Sequence, residues 1–485
     1  MTPRIRTLAL SLIGAFALVA AGCGGAAKPG AAASSGAALV RAGALAFASV
    51  DSDLGSSQWS QLDTLSKKFP GRATLLSRVK QGLVGQGVDY NSDVKPALGP
   101  EVDVAVVSGQ TPGQTSFALM TQPKDAGKFK DLVKKLNAHD TSGKPAVYRE
   151  VKGWYVVSNS QSAIDQVLTS GGSALSDDGT FKDALGKLPS DALVKAYVGG
   201  PGLAALIKQA QQRGTTYGLG AAGLGRFDFI SASLSAESDG LRLRGAVKSS
   251  SGSLGKNYSS KLIKSVPGDA LAFFSFPGTG VTGQVRNIQS NPGFRQAGVQ
   301  MQRLLGVSLQ NVIALFGNEV AFYVRPGAVI PEFTLVLSPT SQSAALETLN
   351  KLAAKVAALR GAKATGGGKT LNFGRFSVRY GGAHGKVVVT SSVKGISDFG
   401  GPGEKLPASA DFKEAKAAAG MPGSNAGFLY LDVKNSIGLV ESFSALGGTS
   451  LPPRVTDNLR PLRSLLAWGS LSGSTGTFDA FLEIK

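Results

Sequence analysis

One wording occurs twice in this chain. The segment "LGPEVDVAV" (Leu98–Val106) returns as "FGNEVAFYV" (Phe316–Val324), and each runs through a turn into "SFALMTQP" (Ser116–Pro123) or "EFTLVLSP" (Glu332–Pro339). Upstream, "GALAFASV" (Gly43–Val50) answers to "DALAFFSF" (Asp269–Phe276). Downstream, "GWYVVSNSQSAID" (Gly153–Asp165) faces "GKVVVTSSVKGIS" (Gly385–Ser397), "TFKDA" (Thr180–Ala184) faces "DFKEA" (Asp411–Ala415), and "DALVKAYV" (Asp191–Val198) faces "NAGFLYLD" (Asn425–Asp432). Segments that match in one order at a nearly constant offset imply a module of roughly 210–220 residues used twice, near the upper end of domain size. Both halves must then fold to one plan, and the copies should superimpose strand for strand. The Ser/Gly-rich "SSSGSLGKNYSS" (Ser249–Ser260) separates them, which gives modules over residues 40–255 and 256–485.

Within a module the hydrophobic period is readable. Val102, Val104 and Val106, like Phe117 and Leu119, alternate as in strands with one buried face. Phe129, Leu132, Val133 and Leu136 recur at helical spacing within Lys124–Leu136, with charges on the other side. A short helix is predicted to start after Ser308, its cap, and to stop at Gly317; its partner starts after Asp89 and stops at Gly99. Strand–turn–strand units mixed with helices predict an α+β fold, with antiparallel sheets and helices packed on one face.

The N-terminus reads differently. Arg4 and Arg6 precede the apolar run "LALSLIGAFALV" (Leu8–Val19), then the small residues Ala20, Ala21 and Gly22 lead to Cys23, the one cysteine among 485 residues. Basic, apolar, then small is the layout of an export signal over residues 1–22, and a run this short does not span a bilayer. A cysteine at the cut site resembles a bacterial lipobox, with Ala20 where leucine is usual. That resemblance implies diacylglycerol on the Cys23 thiol, cleavage before it, and residence on the outer face of the cytoplasmic membrane. Two acyl chains hold firmly where one holds marginally. An acylated Cys23 leaves no thiol for disulfides or metal binding. Gly24–Ala38 ("GGAAKPGAAASSGAA") is small, polar and Pro-broken, so residues 23–39 read as a lipidated flexible tether.

Charge adds a partner class. The formal net charge is +19, and +17 once Arg4 and Arg6 are removed. Residues 40–255 hold 24 basic and 19 acidic side chains, a net of +5, whereas residues 256–485 hold 24 against 13, a net of +11. Such a balance favours anionic envelope polymers or lipid headgroups, with the second module as the contact. Export argues against nucleic acid as the partner.

Several spellings imitate chemistry. "GLGAAG" (Gly218–Gly223) fits a dinucleotide pattern, but that motif needs a strand before it and a helix after. Here the helix-like Gly202–Gln212 precedes and the strand-like "FDFISASLS" follows. "GGGKT" (Gly366–Thr370) lacks the leading glycine of a phosphate loop and reads as a hairpin turn. "SLGK" (Ser253–Lys256) and "SSVK" (Ser391–Lys394) have none of the companion elements of penicillin-binding enzymes. His139 and His384, the only histidines, fall in polar loops and read as exposed. Glu101 and Glu319, shared by the Gly-x-Glu-Val copies, read either as paired carboxylates across the modules or as turn acids bonded to nearby backbone amides. No catalytic residue, cofactor or metal site is assigned.

The segments "PGDALAFFSF" (Pro267–Phe276) and "LFGNEV" (Leu315–Val320) resemble an uncharacterised family of exported bacterial proteins, mostly actinobacterial, classed as a domain of unknown function. The resemblance implies an envelope location and brings no catalytic residues. The expectation is a non-enzymatic lipoprotein that binds another envelope component or protein. The alternative is a carrier of a lipid or other apolar ligand, gated by a segment such as "YGLGAAGLG" (Tyr217–Gly225).

Overall fold

Alternation along Glu101–Ser108 becomes a strand as predicted, but its core face is that of Ala105 and Val107, fully buried, and not that of Val104 and Val106, which keep partial exposure on the other side. The computed structural model describes residues 35–111, 114–140, 145–205, 227–279, 292–327, 330–360, 363–365, 369–373, 377–446 and 451–485. Two units emerge: Met1–Leu254 with Ser472–Asp479 and Ile484–Lys485, and Gly255–Leu471 with Ala480–Glu483.

In the first unit the strands are β1 (Ala46–Asp51), β2 (Glu101–Ser108), β3 (Thr115–Thr121), β4 (Val147–Val151), β5 (Trp154–Ser158), β6 (Val194–Gly199), β7 (Phe227–Glu237) and β8 (Gly240–Ser249). They lie in the order β4–β5–β3–β2–β1–β6–β7–β8, every neighbouring pair antiparallel. The helices used below are α1 (Ser57–Ser66), α2 (Arg72–Val84), α3 (Ala126–Ala138), α4 (Gln161–Val167) and α5 (Gly179–Gly186). Ser56, Asp125, Ser160 and Asp178 cap α1, α3, α4 and α5 with side-chain oxygens, satisfying the first free amides of each helix. Asp89 likewise caps the helical stretch Tyr90–Ala97, at the start predicted for it.

The second unit has β9 (Ala272–Pro277), β10 (Glu319–Arg325), β11 (Glu332–Ser338), β12 (Lys363–Thr365), β13 (Thr370–Asn372), β14 (Ser377–Ala383), β15 (Lys386–Thr390), β16 (Gly427–Asp432), β17 (Leu462–Ser472) and β18 (Thr475–Ile484, divided between the units). Its sheet runs β12–β13–β14–β15–β11–β10–β9–β16–β17, again antiparallel. From β14 to β17 this is the order β4 to β7 repeated, with β12 and β13 added at the outer edge. Its helices are α6 (Pro292–Leu305), α7 (Leu309–Ala314), α8 (Gln342–Arg360), α9 (Gly395–Asp398), α10 (Ala410–Ala419), α11 (Val433–Leu446) and α12 (Pro453–Leu459). Ser308 caps α7, as its spacing predicts.

The duplication extends to side chains and turns. Phe181 on α5 meets Tyr197 on β6 edge-on at 5.1 Å and 86°, and Phe412 on α10 meets Tyr430 on β16 at 5.0 Å and 89°. Burial pushes the Tyr197 phenol up to about 12, and the Tyr430 phenol rises for the same first reason. Each copy has a two-residue hairpin with both φ positive: Lys152–Gly153 at 50° and 79°, His384–Gly385 at 49° and 73°. That is the turn whose twist matches the flanking strands.

The main core of each unit lies between one sheet face and its helices. Phe47, Met120, Val156, Phe181 and Tyr197 centre the first; Phe273, Tyr323, Phe412, Phe428 and Tyr430 centre the second. Further helices reach part of the reverse faces. Phe129 of α3 packs on Tyr148 and Tyr155, and α8 sets Ala345 against Leu337 and Val387.

One boundary differs from the sequence reading. Composition assigns residues 23–39 to a flexible tether, yet Ser35–Ala38 forms a 3₁₀ turn and Ala37, Leu39 and Val40 are buried in the first core. Leu39 and Val40 carbonyls accept from Thr169 and Leu175 amides, and the Arg41 amide donates to the Val167 carbonyl. The second unit repeats the device with Leu262–Ser265, where the Val266 carbonyl accepts from the Leu406 amide. Small side chains make this possible: a Cβ on Gly36 would fall 2.0 Å from Asp103 Oδ2. The same small residues give no apolar period, so the strap resembles linker.

Candidate functional site

Most imitated motifs occupy structural positions. His139 ends α3 with Nδ1 3.1 Å from the Lys135 carbonyl oxygen, and His384 lies in the β14–β15 turn; both are exposed. Ser391–Lys394 is a bend before α9, with Ser391 Oγ accepting from the Phe333 amide. Ser253–Lys256 lies where the two units divide. Thr365 pairs with Thr370, so "GGGKT" spans a hairpin tip, although Gly366–Gly368 themselves lie outside the described residues. Gly218–Gly223 and Tyr217–Gly225 also lie outside them, and β7 follows at Phe227. Cys23 and the signal-like segment are likewise outside. Among the described residues no group of three or more His, Cys, Asp or Glu side chains is placed to hold a metal, and no helix is long and apolar enough to cross a membrane.

Of the two shared glutamates, Glu319 serves the turn beside it, whereas Glu101 Oε1 is buried without a hydrogen-bond partner. Glu319 is 6% exposed and accepts from the Lys261 and Leu262 amides at 2.9 and 3.2 Å, from Ser275 Oγ at 3.0 Å and from Ser260 Oγ. Tyr258 Oη bonds Ser275 in the same cluster, and burial pushes its phenol up. This carboxylate therefore caps the Leu262–Ser265 turn and ties the segment entering the second unit to β9 and β10. Glu101 stands at the matching place in the first unit, beside Asp51. Burial pushes the Asp51 carboxyl up, against hydrogen bonds from Ser56 Oγ and the Asp53 amide.

A feature that motif reading missed lies on the reverse face of the second sheet. Leu429, Phe274 and Phe322 are direct register partners across β16, β9 and β10, so they share that face. Phe333 on β11 belongs to it too, since Leu335 pairs with Phe322. Phe333 stacks on Phe322 at 6.2 Å and 21°, and Phe274 meets Phe276 at 5.3 Å. Exposure is 36% for Leu429 and Phe322, 41% for Phe274 and 43% for Phe333. The adjoining half of the face is closed, because Val320, Leu337 and Val387 pack with Leu315 and with Ala345 of α8. Val393, 77% exposed, follows Ser391, which bonds Phe333 through both backbone and side chain.

The first unit has the same row, Ala196–Ala48–Val104, in the same register on β6, β1 and β2. Two alanines and a valine there become Leu429, Phe274 and Phe322 here. The sequence signal was the contrast of "LAFASV" with "LAFFSF" and of "VDVAV" with "VAFYV", which alternation alone does not interpret: it says which residues share a face, not whether that face is covered.

Comparison with known proteins adds a family and little else. No curated protein matches this chain. Among solved structures, crystal form IV of TP0453 is matched over 44% of this chain and 76% of that one, at 13% identity and a TM-score of 0.23. Crystal form I of TP0453 gives 44% and 75%, 14% identity and a TM-score of 0.22. Likenesses this slight carry no argument here. The family described as "Protein of unknown function (DUF3352)" matches residues 155–484, about two thirds of the sequence, from β5 in the first module to the end of β18. This chain belongs to that family.

Proposed function

We propose that this protein is a non-enzymatic extracytoplasmic lipoprotein, held to the membrane by diacylglycerol on Cys23, whose second module binds another component of the cell envelope. The observation that carries the binding role is the row Leu429–Phe274–Phe322–Phe333, a contiguous apolar surface that a module without a partner has no reason to leave in water. The anchoring role rests on the residue order before Cys23.

Native mass spectrometry of detergent-extracted protein tests both parts together. The expected species begins at Cys23, carries acyl mass there and retains bound envelope material. A species with the first 22 residues still attached and no acyl mass would overturn the anchor. Bound lipid in fixed stoichiometry after detergent exchange would favour the carrier alternative. In cells, Cys23→Ser should move the protein out of the membrane fraction.

A further inference from the structure

We infer that the reverse face of the second module is a docking surface for an anionic phospholipid bilayer. The inference rests on the reading above that this module binds an envelope component, and it names that component. Apolar exposure alone does not choose between a protein and a membrane; the charge on the same side does. The helices around the covered half of this face are α8, which packs on it, with α6 and α7 packed against α8. In sequence, the helices α6, α7 and α8 together contain five Lys and Arg and one acid, Glu347. Residues 391–426, which supply α9 and α10 to the opposite face, contain four of each sign.

By sequence count, the helices on the side that bears the aromatic row are therefore basic, while the stretch that supplies those on the opposite side is balanced. Lys351 is half exposed, and Lys355 is exposed on the same helix. Lys351 Nζ bonds Glu347, the single acid of α6, α7 and α8. Aromatic rings with cations around them suit the headgroup boundary, where apolar area enters the interface and lysines meet anionic lipid. A protein groove of matching shape would instead require acidic residues opposite this side.

The test uses residues 23–485 carrying Cys23→Ser, so that neither an acyl chain nor the apolar run Leu8–Val19 contributes, and measures flotation with vesicles of phosphatidylcholine alone or with one-third phosphatidylglycerol. The parent should float with the anionic vesicles and stay behind with the neutral ones. Phe274→Ala/Phe322→Val/Leu429→Ala installs the residues that the first module already carries in this register, and should weaken anionic binding at least about tenfold. Lys351→Glu/Lys355→Glu should weaken it by about tenfold or more, because each cation near a charged surface contributes of order one decade or slightly less.

Thermal unfolding confirms that each variant is folded. If the triple variant is not, Phe274→Ala alone, matching Ala48, takes its place. Unchanged flotation of the folded variants, equal binding to neutral vesicles, or no vesicle binding by the parent would each overturn the inference. Capture of an acidic envelope protein in place of vesicles would overturn it too while leaving the broader binding role standing. An unmodified Cys23 would remove the anchor and leave these vesicle results untouched.

Discussion

At the scale of single residues, burial of charge is the informative event. Glu319 gathers two backbone amides and two hydroxyls, so Glu319→Ala leaves several donors buried without an acceptor. A loss of about 3 kcal/mol or more in urea denaturation of the second unit is expected, with Glu319→Gln costing less. Asp93 shows the pH side of the same physics. Lys135 Nζ lies 2.8 Å from both its oxygens, and this partner first, then the Asp89 amide, holds its carboxyl below the usual range. A depressed folded value stabilises above the unfolded value and loses that contribution as pH falls through the folded one. Lys135→Met should therefore lower the urea midpoint at pH 7, and the gap from the parent should close on acidification below the ordinary carboxylate range. A gap that stayed constant to pH 2 would show that Lys135 acts through packing alone.

At the scale of elements, the repeated pairs predict repeated energetics. Phe181→Ala and Phe412→Ala each empty a helix–sheet contact of one geometry and should each cost about 3–5 kcal/mol, read from the denaturation of its own unit. Gly385 turns with φ at 73°, where a Cβ is disfavoured, so Gly385→Ala should cost about 1 kcal/mol. Gly423, with open space around it and no positive φ, should accept alanine within about 0.5 kcal/mol. Much of this scale was legible in the sequence. The alternation of Val102–Val106 predicted β2, Ser308 predicted the start of α7, and "TFKDA" with "DFKEA" predicted matching helices. The strap Ser35–Leu39 was not legible, because burial there depends on the absence of side chains, and Gly and Ala look alike in a linker and in a tight contact. The open aromatic face was visible as residues and invisible as a surface, since what covers a strand is decided by elements far along the chain.

At the scale of the whole molecule, chain order and spatial membership part company. Ser472–Asp479 and Ile484–Lys485 belong to the first unit. The Ser249 amide bonds the Ser474 carbonyl at 2.8 Å, Arg244 Nε meets Asp479 at 2.9 Å, and Lys68 Nζ reaches the Ile484 carbonyl at 2.8 Å. A chain ended at Ser472 should consequently expose Gly240–Ser249 to limited proteolysis, although that strand lies more than 200 residues upstream of the cut. Resistance of β8 in that truncation would show that these contacts contribute little.

The strap also has a mechanical meaning. Leu39, Val40 and Arg41 are bonded along their length to Val167, Thr169 and Leu175, with Ala42 bonded to Ser173, so a load drawn through the N-terminal end strains several bonds in parallel instead of opening them one at a time. Any pull on that end would meet a cleat rather than a zip, with the load passed to the end of α4 and the segment that follows it.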